Sequence, residues 1–153
     1  MYTVMPRRVP VILPPVAGEL LSSWISRHAN FYEVPPLIML RHCIPETASQ
    51  RSADLHLSND QEIRLTNMFT TDPVIVRRMT FTKVEEASRR LIAARATRTC
   101  KNCGKVSVES APILRSQFLG WWITCTLCGH QLRDADGRDL PSLFRQYRRA
   151  TLR

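Results

Sequence analysis

Apolar residues at helical spacing between Leu20 and Ala94, helix-capping signatures among them, and two Cys-x-x-Cys-Gly motifs after them predict a mainly α fold with a small zinc ribbon. The expected architecture is a helix-turn-helix-like N-terminal domain followed by a four-cysteine zinc ribbon and a basic C-terminal helix. Shifts in composition divide the chain into a Pro-rich extended arm (1–18), the helical domain (19–97), the ribbon (98–140) and the terminal helix (141–153).

In the arm, Pro6, Pro10, Pro14 and Pro15 fix φ and push the residues before them toward extended backbone, so the segment packs on its own domain or on a partner. From Glu19 onward, Leu20, Leu21, Trp24, Ile25, His28 and Ala29 share one face of a helix over 19–31, and Ser22, Ser23, Ser26 and Arg27 take the other. Pro36 suits the first turn of a second helix that runs through Leu37, Leu40 and Arg41 to Ile44. A polar loop with Ser49, Gln50, Arg51 and Ser52 follows. Ser58 and Gln61 form a capping box for a third helix carrying Ile63, Leu65, Met68 and Phe69. Asp72-Pro73 opens a fourth, through Val74, Ile75, Val76 and Met79. Thr82 with Glu85 predicts a fifth, whose apolar stripe of Val84, Ala87, Leu91 and Ala94 is thin. Short β-like runs follow at 106–108 and 121–124, and Leu143, Phe144 and Tyr147 lie among arginines in the basic terminal helix.

At 153 residues and 44% hydrophobic content, the chain can bury a modest core in one domain or two small ones. Its formal charge of +9 is unevenly placed: residues 1–76 hold six Arg against seven acids, residues 77–153 sixteen Lys/Arg against six, so the halves carry −1 and +10. A basic half of this kind draws polyanions and binds phosphate in a salt-dependent way. The plainer reading is a solvated face that aids solubility. Pro10, Pro14, Pro15 and Glu19 interrupt the apolar stretch 9–21, so neither a signal-peptide core nor a membrane span is expected there. Five unevenly spaced cysteines do not suit a secreted disulfide framework, which points to a reducing, cytoplasmic location.

Cys100-Lys-Asn-Cys103-Gly and Cys125-Thr-Leu-Cys128-Gly repeat one motif, with 21 residues between Cys103 and Cys125. The two-residue gap lets a tight turn aim both thiolates at one ion, about 2.3 Å from each sulfur, and Gly104 and Gly129 allow the positive φ that follows such a knuckle. Four protein ligands, Cys100, Cys103, Cys125 and Cys128, leave no position for water, so one structural Zn2+ is expected. His130 is the alternative to Cys128 as fourth ligand. A redox dithiol is a further alternative, but that motif belongs in a βαβ context.

Arg77, Arg78, Arg89, Arg90, Arg95 and Arg98, with Arg145, Arg148 and Arg149 in the terminal helix, are candidate phosphate contacts. Trp121 and Trp122 would point to opposite faces of a strand, one packing on the ribbon and one available to a neighbour, or both serving the core. Cys43, on the apolar face of the second helix, reads as a buried thiol. The sequence shows no Ser/His/Asp order, no credible pair of carboxylates and no phosphate-cradling Gly-rich loop, so no catalytic residue and no enzyme activity is expected.

The stretch Gly18-Glu19-Leu20-Leu21-Ser22-Ser23-Trp24-Ile25-Ser26-Arg27-His28-Ala29 resembles the opening signature of the TniQ family of transposition adaptors, where a Pro-rich arm leads into a Gly-Glu-Ser/Leu-Leu-Ser-Ser-Trp-Leu-x-Arg-like helix. The stretch 57–80 looks like that family's second helical pair, and the cysteine motifs look like its zinc ribbon. Many members carry Cys-x-x-His-Gly in the second knuckle, whereas here Cys128 stands at the His position.

The resemblance implies a non-enzymatic adaptor linking a target-selecting complex to an AAA+ ATPase (TniB/TnsC-like) on DNA. The ATPase in turn recruits the transposase. In CRISPR-associated members the selector is an RNA-guided effector with its guide RNA. Trp24, Arg27, Trp121 and Trp122 are the expected partner contacts, and no membrane is involved. Because the chain ends after one ribbon, functions carried by the further C-terminal domains of longer members are not expected of it. A zinc-containing helix-turn-helix transcription regulator is the competing expectation, weakened because the second helix offers only Arg41 and His42 as base readers.

Overall fold

The computed structural model describes residues 7–103 and 111–135. Within them the order is α1 (Leu21–Phe31), α2 (Pro36–Cys43), α3 (Gln50–Leu55), α4 (Asn59–Phe69), α5 (Pro73–Arg78), α6 (Glu86–Arg89), β1 (Arg98–Thr99), a 3-10 turn (Arg115–Gln117) and β2 (Arg133–Asp134). The run expected at 106–108 and the basic helix at 141–153 lie outside the described residues.

Several starts follow the local chemistry. The Ser58 hydroxyl accepts from Gln61 N and the Gln61 side chain accepts from Ser58 N, which caps α4. The Asp72 carboxylate accepts from Val74 N at 2.6 Å ahead of Pro73, which caps α5. α1 turns its apolar face inward, and Trp24, Ile25, Leu40, Leu65, Met68, Phe69 and Val76 form the main core against α2, α4 and α5. Each such large side chain contributes roughly 1.5–3 kcal/mol on burial.

Three expectations are corrected. The polar loop at 49–52 begins a helix, α3, because Ser49 and Ser52 cap each other in a reciprocal pair. The expected fifth helix shrinks to the four residues of α6. There the Thr82 hydroxyl accepts from Leu57 N and bonds Thr80, so it cannot cap, and Ile92 bridges to Leu119 instead of continuing the helix. Residues 121–124 do not form a strand, and only Thr124 bridges, to Gln131. β1 and β2 are antiparallel, with Arg98 opposite Asp134 and Thr99 opposite Arg133.

The arm packs on its own chain. Val9 N donates to Met68 O, Tyr32 OH bonds both the N–H and the carbonyl of Val11, and Trp24 Nε1 donates to Leu13 O. A second small core of Leu20, Phe81, Ile92 and Leu119 joins the start of α1 to the segment leading into the cysteine region. No helix among the described residues is long and apolar enough to cross a membrane.

Candidate metal centre

β1 leads into the first knuckle, and the bridge from Thr124 to Gln131 flanks the second. The four sulfurs of Cys100, Cys103, Cys125 and Cys128 all lie within 4.8 Å of one another. Cys100 Sγ and Cys128 Sγ are 3.4 Å apart, and Cys103 Sγ and Cys125 Sγ are 3.8 Å apart. A tetrahedron with metal–sulfur bonds of about 2.3 Å has edges of roughly 3.8 Å, so the four positions fit one ion held wholly by protein.

In the second knuckle, Gly129 has φ +72 and donates from its N–H to Cys125 O at 2.9 Å, while Cys125 N donates to His130 O. The expected counterpart, Gly104, lies outside the described residues. His130 is not in the sulfur cluster; its exposed ring places Nδ1 at 3.3 Å from the Cys128 carbonyl. The side chains that cluster closely enough to hold an ion thus include Cys128 and not His130.

The clustered thiols shift one another's ionisation in opposite directions. The backbone beside His130 pulls the Cys128 thiol down to about 6, while hydrogen bonding to Cys128 pushes the Cys103 thiol up to about 12 and burial raises that of Cys100. The thiols compete for ionisation among themselves, and a divalent cation removes that competition by binding all four as thiolates.

The knuckle rests against the first residues of the helical domain. Gly18 has φ +76, and a β-carbon there would lie 2.9 Å from Thr126 Oγ1, so glycine is needed both for the backbone and for the close approach. Arg115 N donates to Gly18 O, Glu19 bridges to Leu114, Leu20 N donates to Ile113 O and Ile113 N donates to Ser23 Oγ.

Fully buried Glu19 accepts from Arg27 Nε at 2.8 Å and Nη2 at 2.7 Å, and also from Ser23 Oγ and Val16 N. Asp54, likewise buried, accepts from the N–H and the hydroxyl of Ser22. Sequence reasoning took Gly18 and Glu19 as family marks without their structural task. The available signal was an acid at the start of an apolar stripe with an arginine two helical turns further on.

The remaining candidates are dispersed. Trp24 is fully enclosed in the main core, so it presents no surface to a partner, and Arg27 keeps 20% of its side chain exposed beside Glu19. Arg77 is paired with Glu62, which raises its pKa. Arg89 donates to the carbonyls of Val84 and Thr82, and buried Arg98 donates to Gly120 O with Asp134 nearby. Arg78, Arg90 and Arg95 are exposed. These six arginines are spread over α5, α6 and the segment after it, since the helix expected to carry Arg90 and Arg95 ends at Arg89. Arg145, Arg148 and Arg149 lie outside the described residues. Trp121 and Trp122 are 45% and 39% exposed, and Ile123 and Leu127 beside them are exposed too. Core packing is therefore not the role of either tryptophan within the described residues.

No curated protein and no solved structure matches the chain. The family model that does match is that of TniQ, over residues 10–140, a span that takes in the second half of the arm, every described helix and all four cysteines. With the second knuckle packed through Thr126 against Gly18, just ahead of the first helix, and the family model matched over most of its length, the chain belongs to the TniQ family of transposition-associated proteins.

Proposed function

We propose that the protein is a non-enzymatic transposition adaptor that joins a target-selecting complex to an AAA+ ATPase on DNA, with zinc as the structural ion of its cysteine cluster. The observation that carries this reading is the family match across 10–140. The all-sulfur donor set favours zinc over hard, oxygen-seeking cations. Trp121, Trp122, Ile123 and Leu127 supply an apolar surface on the ribbon for a protein partner, and exposed Arg78, Arg90 and Arg95 supply cations for phosphate. Phosphate contacts of this kind position a protein without reading sequence, as a handover component requires. The RNA-guided selector, the cytoplasmic location and contacts from Arg27, Arg145, Arg148 and Arg149 belong to the same proposal.

The test is co-sedimentation of the purified protein with a TniB/TnsC-like AAA+ ATPase, on duplex DNA, with and without ATP. ATP-dependent recruitment that falls at least tenfold in a Trp121→Ala/Trp122→Ala variant with its metal retained supports the adaptor. Absence of recruitment overturns it, and tight binding to one defined DNA sequence in its place would assign a transcription regulator.

A further inference from the structure

His28 lies where α1 meets the arm, and both of its ring nitrogens are in use. Nδ1 is 2.9 Å from the carbonyl of Trp24, and Nε2 accepts from the backbone N–H of Leu13 at 2.9 Å. A carbonyl can only accept and an amide N–H can only donate, so these partners admit one species: the neutral imidazole with its proton on Nδ1. The ring is fully buried, edge-on to Trp24 at 5.0 Å and to Phe69 at 4.8 Å.

We propose that His28 is a protonation-sensitive latch for the N-terminal arm, holding residues 7–16 on the helical domain while neutral and releasing them when it takes up a second proton. That proton would sit on Nε2 and face the Leu13 N–H, replacing a hydrogen bond by two opposed donors.

The surroundings do not relieve the new charge. From α1 and the residue pair before it come Arg27, a like charge, and Glu19, whose oxygens are already engaged by Arg27, Ser23 and Val16. α4 offers Phe69, and the arm offers only the Leu13 main chain. Leu13 is also the residue whose carbonyl Trp24 holds, so losing its N–H bond loosens both central anchors of the arm. The remaining anchors do not involve His28: Val9 N donates to Met68 O with the Val9 side chain in the main core, Tyr32 OH makes two bonds to Val11, and Arg27 Nη2 donates to Pro14 O.

Burial lowers the His28 pKa below its ordinary 6.5, opposed by the bond to the Trp24 carbonyl. The released arm therefore binds the proton more tightly than the docked one. Docking is at full strength while His28 is neutral in both states, and weakens as pH falls through the released-state value by at most tenfold per pH unit, the limit for one proton. This inference is independent of the adaptor reading.

The experiment is an NMR titration of the full chain between pH 7.5 and 5, following the His28 ring nitrogens, the Leu13 and Val11 amides and arm mobility. Expected are a common midpoint for ring and arm, new fast motion in residues 10–16 and unchanged core amides at Leu65 and Met68. His28→Gln keeps an acceptor that does not titrate, so its arm should stay docked throughout. The latch is overturned if the arm remains docked while His28 is charged, or if the Gln variant loosens at the same pH. Should that variant not fold, the wild-type titration decides alone: separate midpoints for ring and arm overturn the proposal.

Discussion

Replacing Arg27 by Met tests how the opening signature holds the molecule together. Glu19 has no exposed surface, and of its four donors the two charged ones both come from Arg27. Removing that guanidinium leaves a buried carboxylate with one hydroxyl and one amide, a situation that costs roughly 3–5 kcal/mol. With a urea m-value of about 2 kcal/mol/M, the unfolding midpoint should fall by about 2 M. The double variant Glu19→Gln/Arg27→Met removes the stranded charge, so it should recover at least about 2 kcal/mol of the loss. The assay is urea unfolding followed by far-UV circular dichroism, with equal slopes required. A loss below about 1 kcal/mol in Arg27→Met would place the pair among ordinary surface ion pairs and refute the reasoning.

Gly18→Ala should cost about 2 kcal/mol, from the left-handed backbone and the 2.9 Å approach to Thr126, and Thr126→Ala should restore the steric part, as read by thermal melting. Cys100→Ser should lower bound zinc from one per chain to well below that by elemental analysis, and should speed amide exchange in 111–119 while α4 stays protected. Burial pushes the Asp54 carboxyl up from 3.8 to about 6, against the pull of the Ser22 hydrogen bonds. A raised acid stabilises the fold fully below its unfolded value and loses that contribution as pH rises through the folded one. Between pH 4 and 7 wild type should therefore lose about 2 kcal/mol relative to Asp54→Asn, and parallel stability curves for the two proteins would refute this.

Short-range chemistry was the legible part of this fold. Ser58 and Gln61, Asp72 and Pro73, and Pro36 each start a helix by satisfying or omitting a local N–H, so the residues themselves carry the information. The sulfur cluster was legible because its spacing encodes a coordination geometry. What the sequence hid were choices made by distant partners. Thr82 reads as a cap until Leu57 claims its hydroxyl, and Ile92 reads as helical until Leu119 pairs with it. Among the arginines, periodicity could not tell which would be drawn inward, and carbonyls of Gly120, Val84 and Thr82 decided that for Arg98 and Arg89.

The bond from Ile113 N to Ser23 Oγ closes a loop of 90 residues, and the Gly18, Glu19 and Leu20 main chain is completed by the same distant segment. A nascent chain emerging from the ribosome can form α4 and α5 as soon as they are made, because their partners are close in sequence. The bonds that tie the start of α1 to residues 113–115 can form only after those residues have been synthesised, and long closures of this kind are slow. Until then Leu20 and Phe81 lack Leu119, so the second core stays incomplete and its apolar side chains stay open while synthesis continues.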